Sequence, residues 1–423
     1  MTATERLFRP VAPGSAVVFR VTFGALMLWA TIRFVASGHV AEHFLEPRHF
    51  FHYFGFEWVR PLPGAGMYVV YALMGVFAIG VALGLCYRAS ALLFGLLFAY
   101  AQLCDKTHYL NHYYLVAVLA LTMAFLPLHA AGSLDARFRP SVRGAMPAWA
   151  VAALRIQIGL VYVFAGIAKL QPDWLLHAQP MSIWLAARGI EIPGLAHVAS
   201  WGAALFDLTV PLWLLWRRTR PFAYAAVVAF HALTAALFNI GLFPWMMIAL
   251  TPIFFDADWP RRLGIAVVAP AAAPRRSRIP LLLGVHLALQ LVLPLRAASY
   301  PGDVLWTEEG FRFSWRVMLM EKSGTVELEV RDPDTGRVWQ VPPAAYYTRY
   351  QAAMMATQPD MILEAAHTAA EDFRARGVRA PEVRAHAYAS LNGRPGRLLV
   401  DPTVDLAVQT DGFAPKPWIL PPN

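Results

Sequence analysis

Charge is scarce in this sequence: Asp, Glu, Lys and Arg make up 15% of 423 residues, while 58% are hydrophobic. A soluble domain carries roughly 25% charged residues, so a chain folded wholly in water is excluded. Cysteine is nearly absent, with only Cys86 and Cys104, and so does not locate the compartment. Also missing are the Walker loop, the dinucleotide-binding glycine fingerprint and the GxSxG elbow. No HExxH is found either, and no metal is expected. The opening MTATERLFRPVAPGS lacks the short apolar core of a cleavable signal, so the first apolar run is expected to stay. A net charge of +9 raises nucleic acid as a partner, but Lys and Arg form no tail or aromatic-interleaved stripe. They sit in loops, which points to membrane orientation instead.

Apolar length is what the sequence has in quantity. Runs able to cross a bilayer, about 20 residues each with tilt, fill most of the chain up to Pro294. Candidate spans fall near 16–36, 66–86, 89–104, 112–128, 149–170, 195–216, 222–238, 240–255 and 279–295. After Tyr300 charges, turn dipeptides and short alternating segments take over. The expected fold is therefore a polytopic α-helical membrane bundle of about nine spans (1–298), followed by a small α+β or β-sandwich soluble domain (299–423).

The positive-inside rule counts Lys and Arg in the short loops. Arg6 and Arg9 precede the first span, and Arg88 follows the second. Arg137, Arg139 and Arg143 follow the fourth, and Arg217, Arg218 and Arg220 the sixth. Arg261, Arg262, Arg275, Arg276 and Arg278 follow the eighth. All fall on one side, which predicts an integral membrane protein with a cytoplasmic N-terminus and an extracytoplasmic C-terminal domain. Cys86 and Cys104 then lie near opposite faces, about 30 Å apart, too far for a disulfide.

Three polar clusters reach the outer half of this bundle. LCDKTHYLNHYYL carries Asp105, Lys106, His108, Asn111 and His112; AGIAKLQPDW carries Lys169; AFHALTAALFNIG carries His231. Ionisable groups at membrane depth are rare and mark pathways or active sites. Plainer readings stay open. A lysine near a helix end fits snorkelling, a lone histidine fits a hydrogen-bonded structural role, and Asp105 and Lys106 fit pairing with each other or capping the turn. The aromatic run HFFHYFGFEW, His49 to Trp58, reads as an interfacial belt or a helix lying on the outer surface.

Taken in order, LGLCYRASALLF, DKTHYLNHYYL, YVFAGIAKLQPDW, GLFPWMMIALTPIFF and LPLRAASYPGDVLWTEEGFRFSWRVMLMEKSG resemble successive landmarks of the vitamin K-dependent gamma-carboxylase family, also called the HTTM-domain family. The match runs from about 15 to 345. The resemblance implies an enzyme that oxidises a vitamin K or menaquinol-type hydroquinone with O2 to the epoxide. It also implies that the strong base made on the way removes a γ-proton from a peptide or protein glutamate, which takes up CO2. By resemblance Lys169 of AGxxKL is the base that deprotonates the quinol, with His112 and His231 as further catalytic residues. Asn111, Asp105, Lys106, Tyr162 and Trp174 are then assigned to substrate binding. The physics agrees for Lys169, since burial in a low-dielectric bundle favours the neutral amine. Besides quinol and acceptor, membrane lipid is the expected partner.

Strand-like alternation is expected from Phe311 to Val341, with DPDTG (Asp332 to Gly336) as a hairpin turn. A helix is predicted from Pro359 to Arg376, and a second strand pair around VRAHAYASL and GRLLVD. GFRFSWRVM has Phe311 and Phe313 where the animal pattern has tyrosines, and the chain ends sooner than the animal enzymes. Both departures count against peptide glutamate carboxylation. Two other readings remain: a non-catalytic quinone-binding or electron-carrying protein, and a structural or transport protein with a polar path. Against such a path, the inner halves of the spans are nearly all apolar apart from Arg20 and Arg155.

Overall fold

The computed structural model describes residues 2–264 and 277–422. A backbone surrounded by hydrocarbon must satisfy its own N–H and C=O groups, and helices form along each apolar run. In chain order they are α1 (Gly14–Ala36), the short α2 (His39–Phe44), α3 (Gly66–Leu83), α4 (Tyr87–Leu103) and α5 (Asn111–Phe125). There follow α6 (Ala148–Ala168), α7 (Leu195–Leu215), α8 (Arg220–Leu237), α9 (Phe243–Leu250) and α10 (Ile279–Leu295). Each expected span thus contains a helix.

Six of these, α1, α3, α6, α7, α8 and α10, are long and apolar enough to cross a membrane. α10 reaches that length by running on through a 3₁₀ turn to Ser299, 21 residues in all, and the others are shorter: α4 has 17 residues, α5 has 15 and α9 has 8. At 1.5 Å per residue, α9 rises only about 12 Å before it passes into a 3₁₀ turn at Thr251–Phe254. Among the described residues six membrane-length helices are therefore established, and a count of about nine crossings is not.

One end of the bundle is basic. Arg155 donates to the carbonyls of Ile253 and Phe255, and Arg220 pairs with Asp256 at 3.0 Å. Arg20, fully buried, donates to the carbonyls of Val81 and Ala82 and so satisfies the end of α3. The N-terminal segment is tied to this end, where β1 (Pro10–Val11) pairs with β2 (Met146–Pro147). Of the cations assigned to this side from sequence, Arg275 and Arg276 lie outside the described residues.

The opposite end carries the C-terminal domain. Here β3 (Lys322–Arg331), β4 (Val338–Val341), β5 (Glu382–Leu391) and β6 (Arg397–Leu398) form one antiparallel sheet in the order β4-β3-β5-β6. The DPDTG turn closes the β3–β4 hairpin through Asp332, which accepts from the Asp334 N–H and the Thr335 hydroxyl. Two helices follow β4, α11 (Arg349–Met355) and α12 (Pro359–Ala375). α12 buries Met361, Ile362, Ala365, Ala366, Ala369 and Phe373 in one cluster with Leu328, Val330, Val383 and Ala385 of the sheet. The domain is α+β, and the β-sandwich alternative fails because the described residues place a helix where a second sheet would pack. The same apolar cluster includes Trp174, Met181, Ala203 and Ala204 from the bundle side.

Two segments differ from expectation. Residues 49–58 do not form a helix. They run as irregular chain beneath the C-terminal domain, where Phe51 stacks on Tyr347 at 4.5 Å and Glu364 binds both the backbone N–H and Nδ1 of His52. Residues 311–321 are not strand, and β3 starts only at Lys322. This strap turns down into the bundle, burying Trp315 completely, with Tyr114 at 4.8 Å. Its path needs left-handed backbone at three non-glycine residues: Phe313 (φ 62°), Trp315 (φ 56°) and Met318 (φ 53°). Each such residue costs of order 1–3 kcal/mol and persists only where the surroundings hold it. Tyr109 and Asn111 supply that hold, the Tyr109 hydroxyl accepting from the Phe313 N–H and the Asn111 amide donating to the Arg316 carbonyl.

Cys86 and Cys104 cap opposite ends of α4 and are both free.

Candidate active site

Lys169 is the C-cap residue of α6, and its side chain is buried. It does not snorkel. Its Nζ donates to Asp207 Oδ2 at 2.8 Å, with longer contacts of 3.4 Å to the carbonyls of Ala165 and Val317. Asp207 lies in the middle of α7 and was not singled out from sequence. The available signal was a lone carboxylate within the apolar run WGAALFDLTVPLW, which is as rare at membrane depth as the lysine.

Gly166 explains why the two meet. A Cβ there would stand 2.8 Å from the backbone nitrogen of Leu208. Only glycine lets α6 and α7 approach so closely, and one helical turn later Lys169 faces Asp207. Close approach through small residues is the usual device of helix pairs in lipid.

The Lys169–Asp207 pair borders a cavity of about 80 Å³ whose walls include Tyr162, Trp174, Phe230, His231 and Phe243. Tyr162 and His231 are hydrogen-bonded, hydroxyl to Nε2, at 2.9 Å. Trp174 places its ring 5.2 Å from Lys169 Nζ, a cation–π contact, and donates its indole N–H to the Ser200 carbonyl. Four of the residues assigned from sequence, Lys169, His231, Tyr162 and Trp174, therefore share one site.

His112 does not enter this cavity. Together with Asn111 it lines a neighbouring one of about 370 Å³, walled by Met27, Phe34, Phe94 and Phe98 among others. The two cavities share Ile240, Phe243, Val317 and Met318. Phe243 is the partition, with its ring 5.6 Å from His112 and 6.0 Å from His231. Lys169 and His231 thus share one cavity and His112 lines an adjoining one, because the strap and the start of α9 fill the space between them. Asn111 has both polar atoms engaged, its amide with Arg316 and its oxygen with the Tyr109 hydroxyl.

Asp105 and Lys106 belong to neither cavity. They do not pair with each other, because each finds a partner in the C-terminal domain. Asp105 accepts from the Thr107 N–H and hydroxyl and from Gln351, while Lys106 bridges Asp360 and Glu364 at 3.0 and 3.1 Å. Burial pushes the Asp105 carboxyl up to about 6 against those hydrogen bonds. Burial would also raise Asp360, but Arg312 and Lys106 outweigh it and hold that carboxyl far below the usual range. For Lys106 burial opposes the charge, and the two carboxylates more than restore it, leaving its pKa raised. These residues fasten the two halves of the protein together, and Lys106 also borders two further cavities of about 500 and 300 Å³.

Comparison with known families fits this arrangement. The family model of the HTTM domain matches residues 8–259, and that of the vitamin K-dependent gamma-carboxylase lumenal domain matches residues 275–423. The chain belongs to the vitamin K-dependent gamma-carboxylase family. It is a carboxylase-like integral membrane protein, and the family's chemistry implies reduced vitamin K, O2 and CO2. The C-terminal domain described above is the family's lumenal domain. The last bundle helix, α10, falls within that second match. No solved structure matches the chain at a significant level.

Proposed function

We propose that this gamma-carboxylase family member oxidises a vitamin K or menaquinol-type hydroquinone with O2 to the epoxide, releasing water, and that Lys169 takes the first proton. The observation that carries the reading is the Lys169–Asp207 pair at 2.8 Å in an apolar, aromatic-walled cavity. An ammonium paired with a carboxylate has no free lone pair, so burial alone does not make Lys169 a base. The pair does: in a dry cavity the ammonium passes a proton to Asp207, and the neutral amine then accepts the phenolic proton. Lys169 ends as the counter-ion of the deprotonated quinol, and Asp207 ends neutral. His231, held by Tyr162, orients a hydrogen bond toward the second ring oxygen.

Size decides where the quinol ring enters. Small-molecule sites occupy roughly 300–1,000 Å³. The His112 cavity, at about 370 Å³, falls in that range, and the Lys169 cavity, at about 80 Å³, does not. The ring therefore enters beside His112, and movement of Phe243 or Met318 opens its way to Lys169. In this reading the chain crosses the membrane nine times and divides at 298/299. The N-terminus is cytoplasmic and the C-terminal domain extracytoplasmic. The base made on the way acts on a second substrate reached from that domain, either a glutamate γ-carbon that takes up CO2 or the acceptor of another base-driven reaction.

One observation favours a second reading. Lys169 and Asp207 satisfy each other, as they would in a protein that holds a quinone without turning it over. Purified protein with reduced vitamin K and O2 separates the two. Epoxide detected by chromatography supports the enzyme, and quinone binding without epoxide supports the carrier.

A further inference from the structure

The short helix α2 stands at the outer end of the bundle and reads HVAEHF, His39 to Phe44. His39, Glu42 and His43 occupy positions i, i+3 and i+4, which lie on one helix face. This is the order HxxEH, the reverse of HExxH, and a search for the forward motif passes over it. The three side chains converge. One ligand atom from each lies within 4.8 Å of the others, and His39 Nδ1 stands 3.0 Å from Glu42 Oε2. Ligands about 2.1 Å from a tetrahedral ion lie about 3.4 Å apart, so small rotations bring the set to bonding distance. The side chains of His39 and Glu42 are 39% and 52% exposed, and an ion from solution can reach them.

A further histidine packs against this set from another element, outside the three whose ligand atoms converge. His108, in the turn between α4 and α5, packs its ring 4.0 Å from that of His43 and stacks on Tyr350 of α11 at 5.2 Å. Its Nε2 is buried and has no hydrogen-bond partner among the described residues. An imidazole nitrogen left unpaired away from water costs free energy, and a metal ion would satisfy it. A cavity of about 190 Å³ beside it is lined by Glu42, His43, Glu46, His108, Tyr350 and Gln351. Two histidines and a glutamate, with a third histidine packed against His43, are the nitrogen–oxygen donors that suit zinc and its neighbours rather than magnesium or calcium.

We infer that His39, Glu42 and His43 bind a divalent transition-metal ion of the zinc class, with His108 as the fourth ligand. Such an ion ties α2 to the α4–α5 turn, the same turn whose Asp105 and Lys106 hold the C-terminal domain. It is separate from the Lys169 site and does not depend on the quinol reading.

The test uses the full-length protein in detergent, stripped with EDTA and titrated calorimetrically with zinc chloride, with magnesium chloride as comparison. One zinc per chain is expected, with no magnesium binding at the same concentrations. His39→Ala and His43→Ala should each weaken zinc at least about tenfold, the lower bound for losing even an outer-shell partner. Equal thermal unfolding of all variants in EDTA shows that they fold. Absent stoichiometric zinc binding in the wild type, or affinity unchanged in the two histidine variants, overturns the site. Cobalt substitution reads the fourth ligand: the intense tetrahedral absorption of the wild type should fall in His108→Ala. An unchanged cobalt spectrum in that variant would overturn the four-ligand assignment.

Discussion

At the scale of single residues, the proposed chemistry rests on Lys169 and Asp207. Guanidinium keeps its proton above about pH 12, so Lys169→Arg retains the charge and the ion pair but removes the base. Epoxide formation should fall about 10²–10⁴-fold, the usual worth of a positioned base, while the protein still inserts and binds quinone. Wild-type epoxide yield by chromatography would move the base elsewhere. Asp207 gives a separate stability readout. Removing one member of a buried pair strands the other charge and costs about 3–5 kcal/mol, whereas replacing both by apolar groups is often neutral. Thermal unfolding in detergent should therefore show Asp207→Leu strongly destabilised and Lys169→Met/Asp207→Leu largely restored. A double variant no more stable than the single one would mean that the pair is not isolated in the way its apolar surroundings imply.

At the scale of elements, helix contact and turn chemistry set the site. A Cβ at Gly166 would meet the Leu208 backbone at 2.8 Å, so Gly166→Ala should push α7 away from α6 and lengthen the Lys169–Asp207 contact. Activity should drop by tenfold or more with both charged residues intact. Full activity in this variant would show that the helices adjust at no cost. The outer turn predicts a pH effect. Asp105 is raised from 3.8 to about 6 by burial, so the stability it confers is complete below about pH 4 and lost as pH rises through 6. Asp360 runs oppositely, contributing above about pH 4 and losing its contribution only as pH falls below that. Between pH 5 and 7 the wild type should thus lose about 1 kcal/mol that Asp105→Asn does not lose. Parallel stability profiles for the two proteins, measured by thermal unfolding, would rule this out.

At the scale of the whole molecule, the basic end and the C-terminal domain lie at opposite ends of the bundle, as an odd number of crossings requires. A reporter fused after Tyr300 should read as extracytoplasmic, and one placed at Arg217 to Arg220 as cytoplasmic. The reverse pair of readings would invert the topology and place the C-terminal domain in the cytoplasm. This geometry also puts the strap of residues 311–321 between the two halves. The C-terminal domain thereby contributes Val317 and Met318 to the walls of both membrane cavities. Its Gln351, Asp360 and Glu364 in turn anchor the outer turn of the bundle.

Hydrophobic period and loop charge are local properties, and they determined what can be read without a fold. The helices within the nine apolar runs, the hairpin at DPDTG and the helix from Pro359 were legible, and the AGxxKL resemblance singled out Lys169. What sequence alone left open depends on contacts between distant segments. Asp207 becomes a partner only because Gly166 lets α7 come close. Asp105 and Lys106 look like membrane-site residues until Gln351, Asp360 and Glu364, some 250 residues further on, draw them to the joint. Residues 311–321 alternate like a strand, yet they are held as a left-handed strap by Tyr109 and Asn111. In each case a polar group's role is set by whichever partner satisfies it at depth, and only the tertiary structure brings that partner within reach.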